Sequence, residues 1–84
     1  MKTLLIRLRE YIKNPSNIFT GMCLSAMMMV AEGEITLEEY NELKKFIDSK
    51  GSEENRPLVI YWWLNGDKRP RLQWLNEKIA ELDN

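Results

Sequence analysis

The chain has little of the chemistry that enzymes use. Its 84 residues include no histidine, one cysteine, four glycines and three prolines. A Cys–His nucleophile is therefore excluded, the single Cys23 has no partner for an internal disulfide, and no glycine-rich phosphate-binding loop is present. No set of residues has the spacing of a zinc site. We predict that the chain is not an enzyme, with no catalytic residue, no metal site and no bound cofactor.

An excess of charge of one sign is also missing. Twelve lysines and arginines stand against thirteen aspartates and glutamates, for a formal net charge of −1. This balance gives no overall field that would attract nucleic acid. A partner that binds through charge must therefore meet a local patch.

No hydrophobic run reaches the ~20 residues that a membrane-spanning helix needs. The most apolar stretch extends only from Ile18 to Ala31. The pattern of a secretory signal peptide is also missing. We expect a cytoplasmic protein without a membrane partner.

Apolar residues recur at helical spacing and predict an all-α fold. The first helix covers about residues 2–13 and ends at Asn14-Pro15, because the residue before a proline is disfavoured in the α conformation. The second covers about residues 18–32 and is expected at the centre of the core, with Gly33 ending it. Its predicted inward stripe consists of Ile18, Phe19, Met22, Cys23, Ala26, Met27 and Val30, widened by Leu24, Met28 and Met29.

The third helix is predicted to begin at a capping box, in which Thr36 and Glu39 satisfy each other's backbone N–H groups. It is expected to end near Lys50-Gly51, followed by a polar linker over residues 51–57. Its predicted inward residues are Leu37, Tyr40, Leu43, Phe46 and Ile47.

A fourth helix is predicted to begin near Arg69-Pro70, since proline is favoured in a first helical turn. Its predicted inward residues are Leu72, Leu75, Ile79 and Leu82. Before it, the apolar run 58–64 is too short to identify by its period, so either a short extended segment or a helix fits it. We expect one helical domain, residues 1–84, folded as a small compact bundle of about four helices.

Three adjacent aromatic residues, Tyr61, Trp62 and Trp63, are the most informative feature. Adjacent side chains point to opposite sides of a strand and about 100° apart on a helix, so the two tryptophans cannot share one face. Exposed aromatic residues often anchor protein interfaces, whereas packing over the helices is the equally ordinary alternative.

Three basic residues, Lys68, Arg69 and Arg71, follow these aromatic residues at the start of the last helix. Free backbone N–H groups beside cationic side chains are suited to binding an anion, such as a phosphate or a partner's carboxylate. A solvated basic surface is the simpler interpretation. Together with Tyr61, Trp62 and Trp63, these residues form the predicted partner-binding patch.

The methionines Met22, Met27, Met28 and Met29 allow a second interpretation. Flexible thioether side chains suit an adaptable binding groove if Met28 or Met29 points outward. Core packing is the simpler alternative, because a small bundle must bury several faces of its central helix.

Several short motifs occur in one order along residues 18–82. They are Gly21-Met22-Cys23, Ile35-Thr36-Leu37-Glu38-Glu39-Tyr40, Tyr61-Trp62-Trp63, Gly66-Asp67, Arg71 and Trp74-Leu75 with Ile79. This order resembles small uncharacterised proteins encoded by tailed bacteriophages. The resemblance implies a phage origin, where small domains often bind and disable a host enzyme or defence complex, but it assigns no role to any residue.

The sequence therefore favours a small interaction protein, such as a phage-encoded inhibitor or modulator of a bacterial host or defence protein. A homodimer that buries the aromatic patch is compatible with this hypothesis. Two alternatives remain open: a nucleotide or nucleic-acid binder that uses the basic start of the last helix, and a structural or assembly component.

Overall fold

The computed structural model describes residues 1–18, 21–54 and 68–83, and this part of the chain contains four helices and no strand. Helix α1 is Lys2–Lys13, α2 is Met22–Ala31, α3 is Leu37–Glu53 and α4 is Arg69–Leu82. The all-α class predicted from the sequence is confirmed. The run 58–64 lies outside the described residues.

Helix α1 lies against the other three helices and packs most extensively on α4. The four helices share one core, to which Ile35 in the α2–α3 turn also contributes. The buried apolar side chains are Leu4, Leu5, Leu8, Ile12, Met22, Ala26, Met29, Ile35, Leu43, Ile47, Trp74, Leu75 and Ile79.

The turn between α2 and α3 is closed by hydrogen bonds at both of its ends. Gly33 has a φ of 78°, its N–H donates to the Val30 carbonyl (3.0 Å), and the Glu34 N–H donates to the Met29 carbonyl (2.8 Å). These two bonds form a Schellman motif, in which glycine tolerates the left-handed conformation. On the other side, the predicted capping box between Thr36 and Glu39 is confirmed, with both hydrogen bonds present.

The predicted start of α2 at residue 18 is wrong. The helix begins at Met22 after an extended Gly21, and Ile18 is 83% exposed instead of buried. Without a preceding helical turn, Ile18 does not continue the buried row that starts at Met22. Phe19, which was assigned to the same stripe, lies outside the described residues.

The predicted end of α3 near Lys50-Gly51 is also wrong, because the helix continues to Glu53 with Gly51 buried inside it. A glycine within a helix costs about 1 kcal/mol relative to alanine. Contacts with α4 offset that cost, since Glu54 directly after the helix accepts a hydrogen bond from Trp74 of α4.

Besides Ile18, four residues predicted to face inward are exposed instead. They are Leu24 and Met27 in α2, Leu37 in the first turn of α3 and Leu82 in the last turn of α4. The core uses other rows of the same helices, which changes the surface that is left for a partner.

Candidate functional site

The structure describes only the basic members of the predicted aromatic and basic patch, Lys68, Arg69 and Arg71. Tyr61, Trp62 and Trp63 lie outside the described residues, so the patch is represented by its three basic members alone. Of these, Arg69 is exposed, Lys68 is half-buried and Arg71 is buried.

Lys68 ties the start of α4 to the connection between α1 and α2. Its Nζ donates to the carbonyl oxygens of Asn17 (2.7 Å) and Asn14 (3.2 Å). An ammonium group that donates to two backbone carbonyls has less capacity left for an external anion. The geometry therefore assigns Lys68 an anchoring contact within the chain.

Arg71 was predicted on a binding surface, but it is 0% exposed. The reason is its position on the helix, since the buried residues of α4 recur at the spacing of a single helical face. They are Arg71, Trp74, Leu75, Lys78 and Ile79. An arginine at such a position packs its apolar stem into the core.

A polar network joins the end of α3 to the middle of α4. Lys78, with only 3% of its side chain exposed, pairs with Glu54 and with Glu81, the latter at 2.7 Å. The Trp74 Nε1–H donates to the other Glu54 oxygen at 3.0 Å, and the Lys78 Nζ lies 5.7 Å from the centre of the Trp74 ring. Two carboxylates and an aromatic face thus surround the buried cation.

Burial lowers the pKa of Lys78, but hydrogen bonds to Glu54 and Glu81 and the charges of these carboxylates outweigh it, so the pKa is raised overall. A lysine that stays protonated does not act as a general base. The network therefore joins the end of α3 to the middle of α4.

Helix α2 presents apolar side chains to solvent on the side opposite the core. We call this surface the outer face of α2; it consists of Leu24, Met27, Met28 and Ala31, spaced as one helical row. Leu24 is 45% and Met27 52% exposed, Ala31 is exposed and Met28 is half-buried. The helix contains no charged residue, so no charge interrupts this face.

The first turn of α3 carries a further exposed apolar residue, Leu37, which is 63% exposed. Exposed apolar side chains thus occur on both helices that flank the turn at Gly33.

A cleft of about 500 Å³ lies between α1 and α2, on the flank of α2 beyond Met28. Its lining residues are Ile6, Arg7, Glu10, Tyr11, Asn14, Met29 and Glu34. At one end the Tyr11 hydroxyl donates to Glu32 Oε2 at 2.8 Å. That bond, followed by burial and the charges of Glu32 and Glu34, raises the pKa of Tyr11.

Cys23 is half-buried on the α3 side of α2. Burial raises the pKa of its thiol, and the charge of Asp48 adds to the effect. A thiol with a raised pKa is a poor nucleophile at neutral pH. Cys23 is thus a packing residue in this arrangement.

Two tests for other kinds of site are negative over the described ranges. No three or more histidine, cysteine, aspartate or glutamate side chains come together there as ligands for a metal ion. Within the same ranges, no helix combines the length and the apolar character that crossing a membrane requires.

The sequence interpretation missed the outer face of α2 because it assigned Met27 and Leu24 to the buried stripe. A helix that is apolar all round gives no angular signal for its buried side. The sequence interpretation also missed the burial of Arg71 and Lys78. These two residues have the helical spacing of Trp74, Leu75 and Ile79, so their inward position could have been predicted from the sequence.

Comparison with models of protein families, with curated proteins and with solved structures finds no match for this chain.

Proposed function

We propose that the protein is a small helical interaction module that binds another protein through the outer face of α2. The observation that supports this proposal is the exposure of Leu24 and Met27 on a helix without a charged residue. A contiguous exposed apolar surface is a common mark of a protein-interaction site. Met27 and Met28 suit this role because an unbranched thioether side chain adapts its shape to a partner.

Energetics favour a protein partner for this surface. Covering apolar surface gains about 25 cal/mol for each Å² removed from water. The side chains of the outer face and Leu37 have no charge whose hydration would be lost on binding. A standard interface buries ~800 Å² on each partner, which is more than five side chains supply, so other parts of the chain must contribute to a tight complex.

Arg69 and the aromatic residues Tyr61, Trp62 and Trp63 are the second surface in this proposal. Arginine and tryptophan are enriched among residues that dominate binding energy. Arg69 is exposed at the start of α4, whereas Lys68 and Arg71 contact the rest of the chain or the core. We therefore do not propose a nucleotide or nucleic-acid site at this helix start.

The partner class to test first is a bacterial host or defence protein, with this chain as its inhibitor or modulator. The resemblance to small tailed-bacteriophage proteins supports this choice. In such a role the chain needs only a binding surface and a stable bundle to carry it.

An affinity pull-down from bacterial lysate with the tagged chain tests the proposal. The first variant is Met27→Asp, which places a charge on the outer face of α2. Its matched control is Leu82→Asp, which makes the same kind of change at an exposed apolar residue of α4. A third variant, Trp62→Ala with Trp63→Ala and Arg69→Ala, tests the second surface. Circular dichroism checks that all of them remain helical.

We expect one stoichiometric partner that is retained by Leu82→Asp and lost by Met27→Asp. Retention of the partner by a folded Met27→Asp variant would contradict the role of α2. Loss in the triple variant alone would transfer the site to the aromatic and basic surface.

A further inference from the structure

Acidic residues are concentrated in the part of the chain that carries the outer face of α2. Residues 14–43 contain five glutamates and no lysine or arginine, whereas the rest of the chain carries twelve basic and eight acidic residues. The near-neutral total therefore conceals a separation of charge. The five are Glu32, Glu34, Glu38, Glu39 and Glu42.

The negative charge meets the outer face at the end of α2. Glu32 follows Met28 by four residues, and Met28 follows Leu24 by four, so the three form one row along the helix. This row leads from the exposed apolar surface to the cleft at Tyr11. A partner covering Leu24 and Met28 would reach the carboxylates without leaving the protein surface.

Arg7 and Arg9 of α1 donate to groups other than the carboxylates of Glu32 and Glu34, although Arg7 lines the same cleft as Glu34. Arg7 donates from Nη1 to the backbone carbonyl of Glu34 (3.1 Å), and Arg9 donates to Glu10 and to Asn76 of α4, both at 3.0 Å. Glu34 lines the cleft, and the Glu32 carboxylate accepts one hydrogen bond from Tyr11. Because a carboxylate has about four lone-pair sites, both glutamates retain capacity to accept from a cation.

We infer that the occupant of the outer face of α2 is a basic amphipathic helix of the protein partner. Its apolar side chains cover Leu24 and Met27, and lysine or arginine side chains along its edge meet Glu32 and Glu34. The inference rests on the proposed function and names the chemistry of the partner that this function requires.

In helix-on-helix docking, the apolar residues and the acidic residues have different roles. An amphipathic helix binds through apolar anchors at helical spacing, which the straight row on α2 can receive. Charges at the edge of such an interface increase the association rate and select the partner more than they add affinity. They also reject an acidic helix, since like charges would face each other at Glu32 and Glu34.

Two synthetic helical peptides provide the test. Both carry the same leucine and alanine face, and the remaining positions are lysine in one and glutamate in the other. Fluorescence anisotropy measures their Kd at about 0.02 M and about 0.3 M salt, so that screening separates charge from apolar contact. The variants are Met27→Asp and the pair Glu32→Gln with Glu34→Gln. The control pair, Glu53→Gln with Asp83→Asn, removes the same charge at the other end of α3 and after α4.

At low salt we expect the lysine peptide to bind at least about tenfold more tightly than the glutamate peptide, and the ratio to shrink at high salt. Met27→Asp should abolish binding. The Glu32 and Glu34 pair should weaken binding of the lysine peptide about three- to tenfold, whereas the control pair should leave it unchanged.

Equal binding of both peptides that is still lost in Met27→Asp would overturn the basic partner and leave the proposed function standing. The inferred basic partner helix would also be overturned if neither peptide binds, or if Met27→Asp leaves binding of the lysine peptide unchanged. Sedimentation of the chain alone provides a further check, because self-association that Met27→Asp abolishes would make a second copy the occupant.

Discussion

Helices α2 and α4 differ in composition and in what they bury. Helix α2 has no charged residue, yet it leaves Leu24, Met27 and Ala31 exposed. Helix α4 has five charged residues, and two of them, Arg71 and Lys78, are among its five buried positions. The more apolar helix thus contributes the exposed apolar surface, and the more charged helix contributes cations to the interior.

This difference shows that angular position decides burial once a helix has docked. A residue at the inward spacing is buried whatever its type, and a long basic side chain tolerates the position if carboxylates meet its charge. For Lys78 these are Glu54 and Glu81. On α2, apolar residues at the outward spacing have no helix to cover them, so they are available to a partner.

The largest expected effect concerns the two sides of α2. Met29→Ala should lower the free energy of unfolding by about 3 kcal/mol, because it leaves a cavity in the core. Met27→Ala, the same change on the outer face, should change it by less than about 0.5 kcal/mol. Urea denaturation followed by circular dichroism measures both values. Equal costs would remove the distinction between the inner and outer faces.

Two neighbouring arginines test the burial of charge in α4. Arg71→Ala should cost about 2 to 3 kcal/mol of folding free energy, since its side chain is fully buried. Arg69→Ala, at an exposed position two residues earlier, should remain within about 0.5 kcal/mol. The comparison uses the same urea measurement. A larger cost for Arg69 than for Arg71 would contradict the inward position of Arg71.

Lys78→Met should lower the free energy of unfolding by about 2 kcal/mol near neutral pH, because it leaves Glu54 without its cation. The cost is less than for a fully buried pair, since Glu54 is partly exposed and water can solvate its carboxylate. The raised pKa of Lys78 also predicts a dependence on pH. The folded state holds the proton more tightly, so this stabilisation is present below the ordinary pKa of 10.5 and is lost as the pH rises through the folded pKa.

The measurement is the difference in unfolding free energy between wild type and Lys78→Met from pH 7 upward. Taking the difference cancels the contribution of Tyr11, whose pKa is raised in the same direction. A difference that stays constant to about pH 11.5 would argue against the ion pairs at Lys78.

The smallest expected effect concerns the turn that sets where α2 ends. Thr36→Ala removes the side-chain oxygen that accepts from the Glu39 N–H, and it should cost about 1 kcal/mol. Thermal unfolding gives the value, with Thr3→Ala in α1 as a control without this cap. An unchanged Tm in Thr36→Ala would show that the Schellman motif at Gly33 holds the turn by itself.

Local signals in the sequence predicted the helices well where a specific side chain or ring determines the backbone. Asn14-Pro15 ends α1, Thr36 with Glu39 begins α3, and Pro70 lies in the first turn of α4. Each of these signals acts within about four residues, so no knowledge of the rest of the fold is needed.

Tertiary contacts decided the remaining features, and local signals could not supply them. Gly51 resembles the start of a linker, but α3 continues through it to Glu53. The next residue, Glu54, accepts a hydrogen bond from Trp74 and pairs with Lys78, both in α4. The outer face of α2 depends on which side meets α1 and α3, a choice that its uniform composition does not encode. The aromatic residues of the predicted patch lie outside the described residues, so their role stays a prediction.

The packing of α1 on α4 also determines when the core can form during synthesis. Arg9 of α1 and Asn76 of α4, joined by a hydrogen bond, are 67 residues apart in the chain. A ribosome releases α1 long before α4, so the apolar side of α1 must wait for most of the chain before its main partner exists. We therefore expect the nascent α1 and α2 to expose apolar surface during translation, and the bundle to close only when α4 has left the exit tunnel.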